Sequence, residues 1–400
     1  MPYLPKIPLA IIMVVLFLPV LVVDAAAEIG PCQVFQPDNP WNMDVYELPV
    51  DPMSATYIAN INAHGDTDAH PDFGENPTYG IPYVTVTNSD PLVPINYSTT
   101  EESYEDESDP GPYPIPPTAP IEGVDDPDGD RHVIVINTDT CMLYELYRAF
   151  YDDNAPTNSW TVAESVIWDL NSPIVQQRPL GWTSADAAGL PIFPGLARCD
   201  EAMSGTIQHA FRFTVEATRE AYIYPASHEA GESTDPSYPP MGLRFRLKRN
   251  YDISHFGPQS KTIAEALKHY GMMIADNGSN WYISGETNPT CWDDDDLDAL
   301  KHIPGTAFEV VSIISPPTQA ATKNYFYTDT PTLTWTRITW ATSYQLQISR
   351  SSTFAGEPIL SSPTTSFETA SLENGLWYWH VRATGGTTWS PFESFTVRKP

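Results

Sequence analysis

Five side chains combine the residue types and settings that acid–base chemistry needs: Glu145, Asp169, Asp186, His228 and Asp276. Glu145 shares a strand face with Leu143 and Tyr147, and Asp169 sits likewise in Ile167-Trp168-Asp169-Leu170. Two carboxylates on a sheet beside aromatic rings is how glycoside hydrolases place a proton donor and a base or nucleophile. The same placement also serves structural ion pairs and strand edges. Asp186, in Thr183-Ser184-Ala185-Asp186, and Asp276, in Ala275-Asp276-Asn277-Gly278, lie in short polar runs. Such runs line sites, and they also make caps and tight turns. His228, in the loop Pro225-Ala226-Ser227-His228-Glu229, offers an imidazole within reach of solvent. His209 shares a face with Ile207, Phe211 and Phe213 and reads as a core histidine.

Three arginines are the binding candidates. Arg212 leaves the His209 strand on the opposite face, while Arg244, Arg246 and Lys248 alternate with Leu243, Phe245 and Leu247. A cationic strand face in an anionic protein suits an acidic sugar, because guanidinium groups grip carboxylates bidentately. The competing reading is that it neutralises the protein's own carboxylates. Asp126, Asp128 and Asp130 repeat at alternate positions, as in calcium loops. Arg131 stands where an EF-hand has glycine, and Asn137 where it ends in glutamate, so a solvated acidic loop is the alternative. Calcium is the one ion suggested, and no other cofactor is required. The absence of G-x-S-x-G, H-E-x-x-H and phosphate-loop motifs disfavours serine hydrolases, zinc proteases and nucleotide enzymes of those types.

The compartment follows from the first residues. Lys6 precedes an apolar run from Ile7 to Val23, and Ala25-Ala26-Ala27 offers a cleavage site before Glu28. This is the pattern of an export signal over 1–27; a retained anchor is the competing reading, since the run approaches the roughly 20 residues that span a bilayer. The four cysteines, Cys32, Cys141, Cys199 and Cys291, suit two disulfides in an exported protein. Spacing leaves all three pairings open, and the lack of C-x-x-C speaks against structural zinc. A net charge of −31 repels nucleic-acid phosphates and anionic membranes. It also serves simply to keep an exported protein soluble.

The elements that must position these residues are mostly strands. A stretch rich in proline and acid, 28–130, is expected to pack on the main domain or link its first strands. His132–Ile136 and Met142–Tyr147 flank a polar turn and predict a hairpin. Further strands are expected at Ser165–Leu170, Ile207–Val215, Ala221–Tyr224, Leu243–Lys248 and Trp281–Ser284. Ile263, Ala266, Leu267, Tyr270 and Ile274 follow helical spacing, with Ser260 as cap and Asn277-Gly278 as stop. A shorter helix is expected to open within Asp293–Asp296 and run through Leu297 and Leu300. The fold class is thus mostly β with a few helices: a β-rich, sandwich-like main domain over 131–312, then a small β-sandwich over 315–400.

Trp335, Tyr344 and the run from Leu372 to Ala383 resemble a fibronectin type III module over about 85 residues. The resemblance implies a spacer or adhesion module without catalysis, with Trp335 in its core and Tyr378 as corner tyrosine. The runs Gly181–Pro191, Pro240–Arg244 and Tyr270–Gly278 resemble a group of exported bacterial proteins of unassigned function. That resemblance extends from about Pro40 to Val311 and carries no functional residue.

Export, the appended module, and 11 Trp with 21 Tyr point to a protein that binds or cleaves extracellular or cell-surface polysaccharide. The alternative is a non-catalytic adhesion or cell-envelope protein contacting a cell-surface protein. Convergence of Glu145, Asp169, Asp186 and Asp276 on one cleft favours the enzyme, and their dispersal favours the binding protein.

Overall fold

The computed structural model describes 28–312 and 325–399, less 38, 75, 77, 100–102, 154–157, 173, 175–176, 336–342, 384–388 and 391. The expected export signal lies outside the described residues. Among them, no helix is long and apolar enough to cross a membrane.

Val133–Asn137 and Met142–Tyr147 form the expected hairpin. Glu164–Asp169 extends it on one side, and Tyr83–Val86 joins in parallel on the other. This sheet is covered on both faces, which is why Val133-Ile134-Val135-Ile136 is apolar without interruption. Ile134 and Ile136 enter the main core with Leu143, Val166 and Trp168. Val133 and Val135 enter a second core with Leu146, Trp160 and Val162. A three-stranded sheet of Ile95–Tyr97, Ser159–Val162 and Phe150–Asp152 closes that second core.

The other large sheet runs Tyr282–Ile283, Phe211–Val215, Met272–Asn277, Arg244–Leu247, Phe308–Val310. Phe211–Val215 and Met272–Asn277 are parallel, and the chain between them includes the helix Pro258–His269. Pro258 suits the first turn, where its missing N–H is not needed. Ser260 is not the cap: it lies inside the helix, and its hydroxyl donates to Asp296, which also accepts from Gln259 N at 2.8 Å. The helix stops at His269, well before Asn277-Gly278. Gly271 adopts φ +67°, and a Cβ there would meet Phe245 O at 2.0 Å. That turn sends the chain directly into a strand, so Ile274 keeps helical spacing by coincidence. Ala221–Tyr224 forms no strand and contributes only the bridge Tyr222–Met241. The short helix Asp294–Leu297 opens where expected, with Asp293 accepting from Asp296 N.

The 28–130 stretch is built into this domain. It supplies a helix, Ser54–Ala63, and the Tyr83–Val86 strand, and one core runs from Cys32 to Val310. The disulfides pair Cys32 with Cys141 and Cys199 with Cys291.

In 325–399, a five-stranded sheet runs Tyr325–Phe326, Glu393–Val397, Gly375–Ala383, Tyr344–Ser349, Leu360–Ser362. It faces the pair Thr332–Thr334 and Ser366–Glu368, and Leu333, Trp335, Tyr344, Trp379 and Phe395 fill the space between. The result is a small β-sandwich. Tyr378 is half-buried against Phe392, and its hydroxyl has no hydrogen-bond partner among the described residues.

Candidate functional site: a carboxylate cluster joining two sheets

Phe211, Phe213 and Val215 point into the main core, so alternation sends Arg212 and Thr214 to the other face. Phe213 pairs with Ile274, yet Thr214 pairs with Asp276. The register shifts there, and Ala275 is the inserted residue. Simple alternation would place Asp276 on the Ile274 side; the bulge moves it to the face that carries Arg212.

Arg212 grips Asp186 with two hydrogen bonds, Nε and Nη2 each 2.8 Å from a carboxylate oxygen, and its Nη1 donates to Ser284 Oγ at 2.5 Å. Asp186 is fully buried and Arg212 is 5% exposed. Asp186 comes from the 181–191 loop, whose consecutive residues tie several candidates together. Ala185 O accepts from His132 Nε2 at 2.8 Å, and Ala187 O from His228 Nδ1 at 2.8 Å. Ala188 N donates to Ala275 O at 2.9 Å, beside Asp276. His132 precedes the Val133–Asn137 strand, so this one loop links the two sheets. Ser184 Oγ, donating to Leu190 O at 2.6 Å, and Ser227 Oγ, donating to Trp182 O at 2.9 Å, hold the loop closed on itself.

His132 Nδ1 lies 2.5 Å from Glu122 Oε2, and Asp130 completes a group whose donor atoms lie within 4.8 Å of one another. Both nitrogens of His132 face acceptors, so with these partners the ring carries two protons. Burial works against that charge, but Glu122 outweighs it and pushes the His132 pKa up to about 9. Burial likewise opposes ionisation of Glu122, and His132 reverses the effect and lowers its pKa. Asp276 is partly exposed and pushed up to about 7. Burial is the main cause, followed by the negative charge of Asp186; Arg212 partly offsets both, and Asp130 adds to the repulsion.

Asp186, Asp276, Arg212 and Asp130 therefore belong to one cluster, with His228 at its margin. The other candidates do not join it as reagents. Glu145 is fully buried, and its oxygens accept from Ile192 N at 2.9 Å, Phe193 N at 2.8 Å and Trp168 Nε1 at 2.9 Å. It anchors the turn at Phe193–Gly195 and is corrected from catalytic to structural. Asp169 lies at the Asn137 end of its sheet, opposite His132, and caps its own turn by accepting from Asn171 N at 2.9 Å. It is partly exposed and stands apart from the cluster.

The two arginines of the expected cationic strip are interior, while Lys248 is partly exposed and donates to Thr306 O at 2.7 Å. Arg244 is 1% exposed and donates to Tyr270 O, Pro40 O and Met43 O. Arg246, 2% exposed, pairs with Glu309 at 2.7 Å and donates to Val45 O and Tyr46 O. Both tie the N-terminal stretch to the sheet, so neither can meet a sugar. Asp126, Asp128 and Asp130 do not form a metal-holding group among the described residues. Asp126 Oδ1 accepts from Asp128 N at 3.0 Å, whereas Asp130 is grouped with Glu122 and His132. Glu122 and His132 were not singled out from the sequence. His132 begins the hairpin and reads there as an ordinary strand residue; Glu122 has no local pattern at all.

No protein-family model, curated protein or solved structure matches this chain.

Proposed function

We propose that the protein is exported and acts on extracellular or cell-surface polysaccharide, cleaving it at the Asp186–Asp276 cluster. The observation that carries this reading is the unequal treatment of two neighbouring carboxylates. Asp186 is buried with both oxygens on Arg212, while Asp276 is partly exposed and exchanges its proton near pH 7, pushed up to about 7. A carboxyl group whose proton affinity is raised to neutral pH by burial and a neighbouring negative charge can serve as a general acid. In glycoside hydrolysis Asp276 would protonate the leaving oxygen as the glycosidic C–O bond breaks. Water would then form the new C–O bond at the oxocarbenium-like carbon and return its proton to the Asp276 carboxylate, with no second carboxylate as nucleophile in this scheme. Asp186 reaches no substrate in this scheme; it is a positioning residue whose charge adds to the effect of burial in raising the Asp276 proton affinity.

With Arg244 and Arg246 interior, the strip expected to hold an acidic sugar is not presented to solvent, and the net charge of −31 favours a neutral polymer. Aromatic stacking by the C-terminal sandwich finds little support. His380 is stacked between Phe354 at 3.9 Å and Trp389 at 4.1 Å, with Arg382 over the Trp389 ring. Those ring faces are occupied internally.

The test is a polysaccharide array scored for retention and for new reducing ends, with wild type and Asp276→Asn. Reducing ends from the wild type alone, with retention by both, is the expected result. Equal retention without new ends in either form would favour the adhesion reading. No retention and no new ends would dispose of both.

A further inference from the structure

We propose that Glu122, Asp130 and His132 hold a divalent transition-metal ion of the zinc or manganese class. One imidazole nitrogen and two carboxylate oxygens converge within 4.8 Å. A second observation, outside the three side chains, points to a ligand. His132 is 2% exposed, and its Nε2 is committed to Ala185 O at 2.8 Å. A metal-ligating histidine is held in this way: one nitrogen donates to a backbone carbonyl, which fixes the ring and turns the other nitrogen toward the ion. The other nitrogen, Nδ1, is bonded to Glu122 Oε2 at 2.5 Å, so an ion bound between the two displaces the proton they share. The backbone fixes the remaining ligands as well, with Glu122 N on His132 O at 3.0 Å and Arg148 N on Asp130 O at 2.8 Å.

The donor set selects the ion. Calcium takes oxygen ligands only, whereas zinc and manganese accept imidazole beside carboxylate. Three protein ligands leave a coordination position for water, as in catalytic rather than structural sites. Asp130 is exposed, so an ion reaches the group from solvent. The site lies in the same cluster as Asp276 but does not depend on the polysaccharide reading, because binding is measured without substrate.

The experiment is calorimetric titration of chelator-treated full-length protein with zinc, manganese and calcium chlorides. One equivalent of zinc or manganese is expected to bind. Asp130→Asn and Glu122→Gln should each weaken it by at least about tenfold, since even the outer partners of metal ligands are worth 10–100-fold. The double variant Asp126→Asn/Asp128→Asn should bind as wild type. Melting curves establish that each variant is folded, and Asp130→Asn alters an exposed side chain. The proposal is overturned by absence of stoichiometric binding, by unchanged affinity in folded Asp130→Asn, by preference for calcium, or by loss of binding in Asp126→Asn/Asp128→Asn.

Discussion

Asp276 and Arg212 share one face of their sheet because Ala275 is inserted where Phe213–Ile274 pairing gives way to Thr214–Asp276. The insertion has an energetic consequence. It brings a second carboxylate toward a guanidinium already gripped by Asp186. Two acids then share one cation, and the less buried acid takes up a proton most readily.

The Asp186–Arg212 pair is predicted to be worth far more intact than halved. Asp186→Ala leaves Arg212 buried without its carboxylate, which should cost about 3–5 kcal/mol. Asp186→Ala/Arg212→Met removes both charges and should cost clearly less than the two single changes added together. A double-mutant cycle by urea unfolding measures this; additive costs would show that the pair is not coupled.

Stability is predicted to fall as pH rises from about 4.5 to 8. Glu145 is pushed up to about 7, first by burial, against the hydrogen bonds from Phe193, Ile192 and Trp168. Glu164 is pushed up to about 8, again by burial, with only partial relief from Arg178; its Oε2 is buried without a partner among the described residues. Both carboxyls hold a proton more tightly folded than unfolded, where 4.5 is ordinary. Their contribution is therefore complete below about 4.5 and lost as pH climbs through the folded values. Calorimetry should give a higher Tm at pH 5 than at pH 8.5, and Glu164→Gln should narrow the gap. An unchanged gap in the variant would remove Glu164 from the account.

Gly189→Ala is predicted to open the 181–191 loop. Gly189 adopts φ +67°, and a Cβ there would meet Ser227 Oγ at 1.9 Å and Trp182 O at 2.7 Å. The left-handed backbone alone costs about 1–2 kcal/mol for a residue with a side chain, and the overlap adds to it. Faster amide exchange across the loop than in the Arg244–Leu247 strand is the expected signature. Uniform exchange would show that the loop tolerates the change.

The C-terminal sandwich is predicted to melt cooperatively as an isolated 315–400 fragment. Trp335 is 5% exposed, with Tyr344 at 5.3 Å and Trp379 at 6.2 Å between ring centres. Trp335→Ala should cost about 3–5 kcal/mol, the range for emptying a large buried aromatic. A fragment without a cooperative transition would show that this core needs the rest of the chain.

Local pattern was enough for the elements whose neighbours in sequence are their partners in space. The hairpin at Val133–Asn137 and Met142–Tyr147, the amphipathic face of Pro258–His269 and the sandwich strands around Trp335 and Trp379 were legible because period and turn chemistry are short-range. His209 was also legible: its face-mates Phe211 and Phe213 are core, and its Nε2 meets Glu201 at 3.0 Å. The Ser54–Ala63 helix escaped notice because Thr56, Asn60 and Asn62 dilute a signal that packing supplies through Tyr57, Ile58 and Ile61.

Which charges are inside, and with whom, was settled by tertiary structure alone. Alternation placed Arg244 and Arg246 on one face, but whether solvent or the 28–130 stretch covers that face depends on chain about two hundred residues away. Glu145 and Asp276 looked equivalent as carboxylates in sequence. One met three donors in a closed core; the other was turned by a bulge toward Arg212. Disulfide pairing, the link from His132 to Ala185 and the meeting of Glu122 with His132 are likewise contacts across the fold. Residue type and spacing determine which face a side chain leaves from, while its electrostatic environment is set by what the rest of the chain brings to that face.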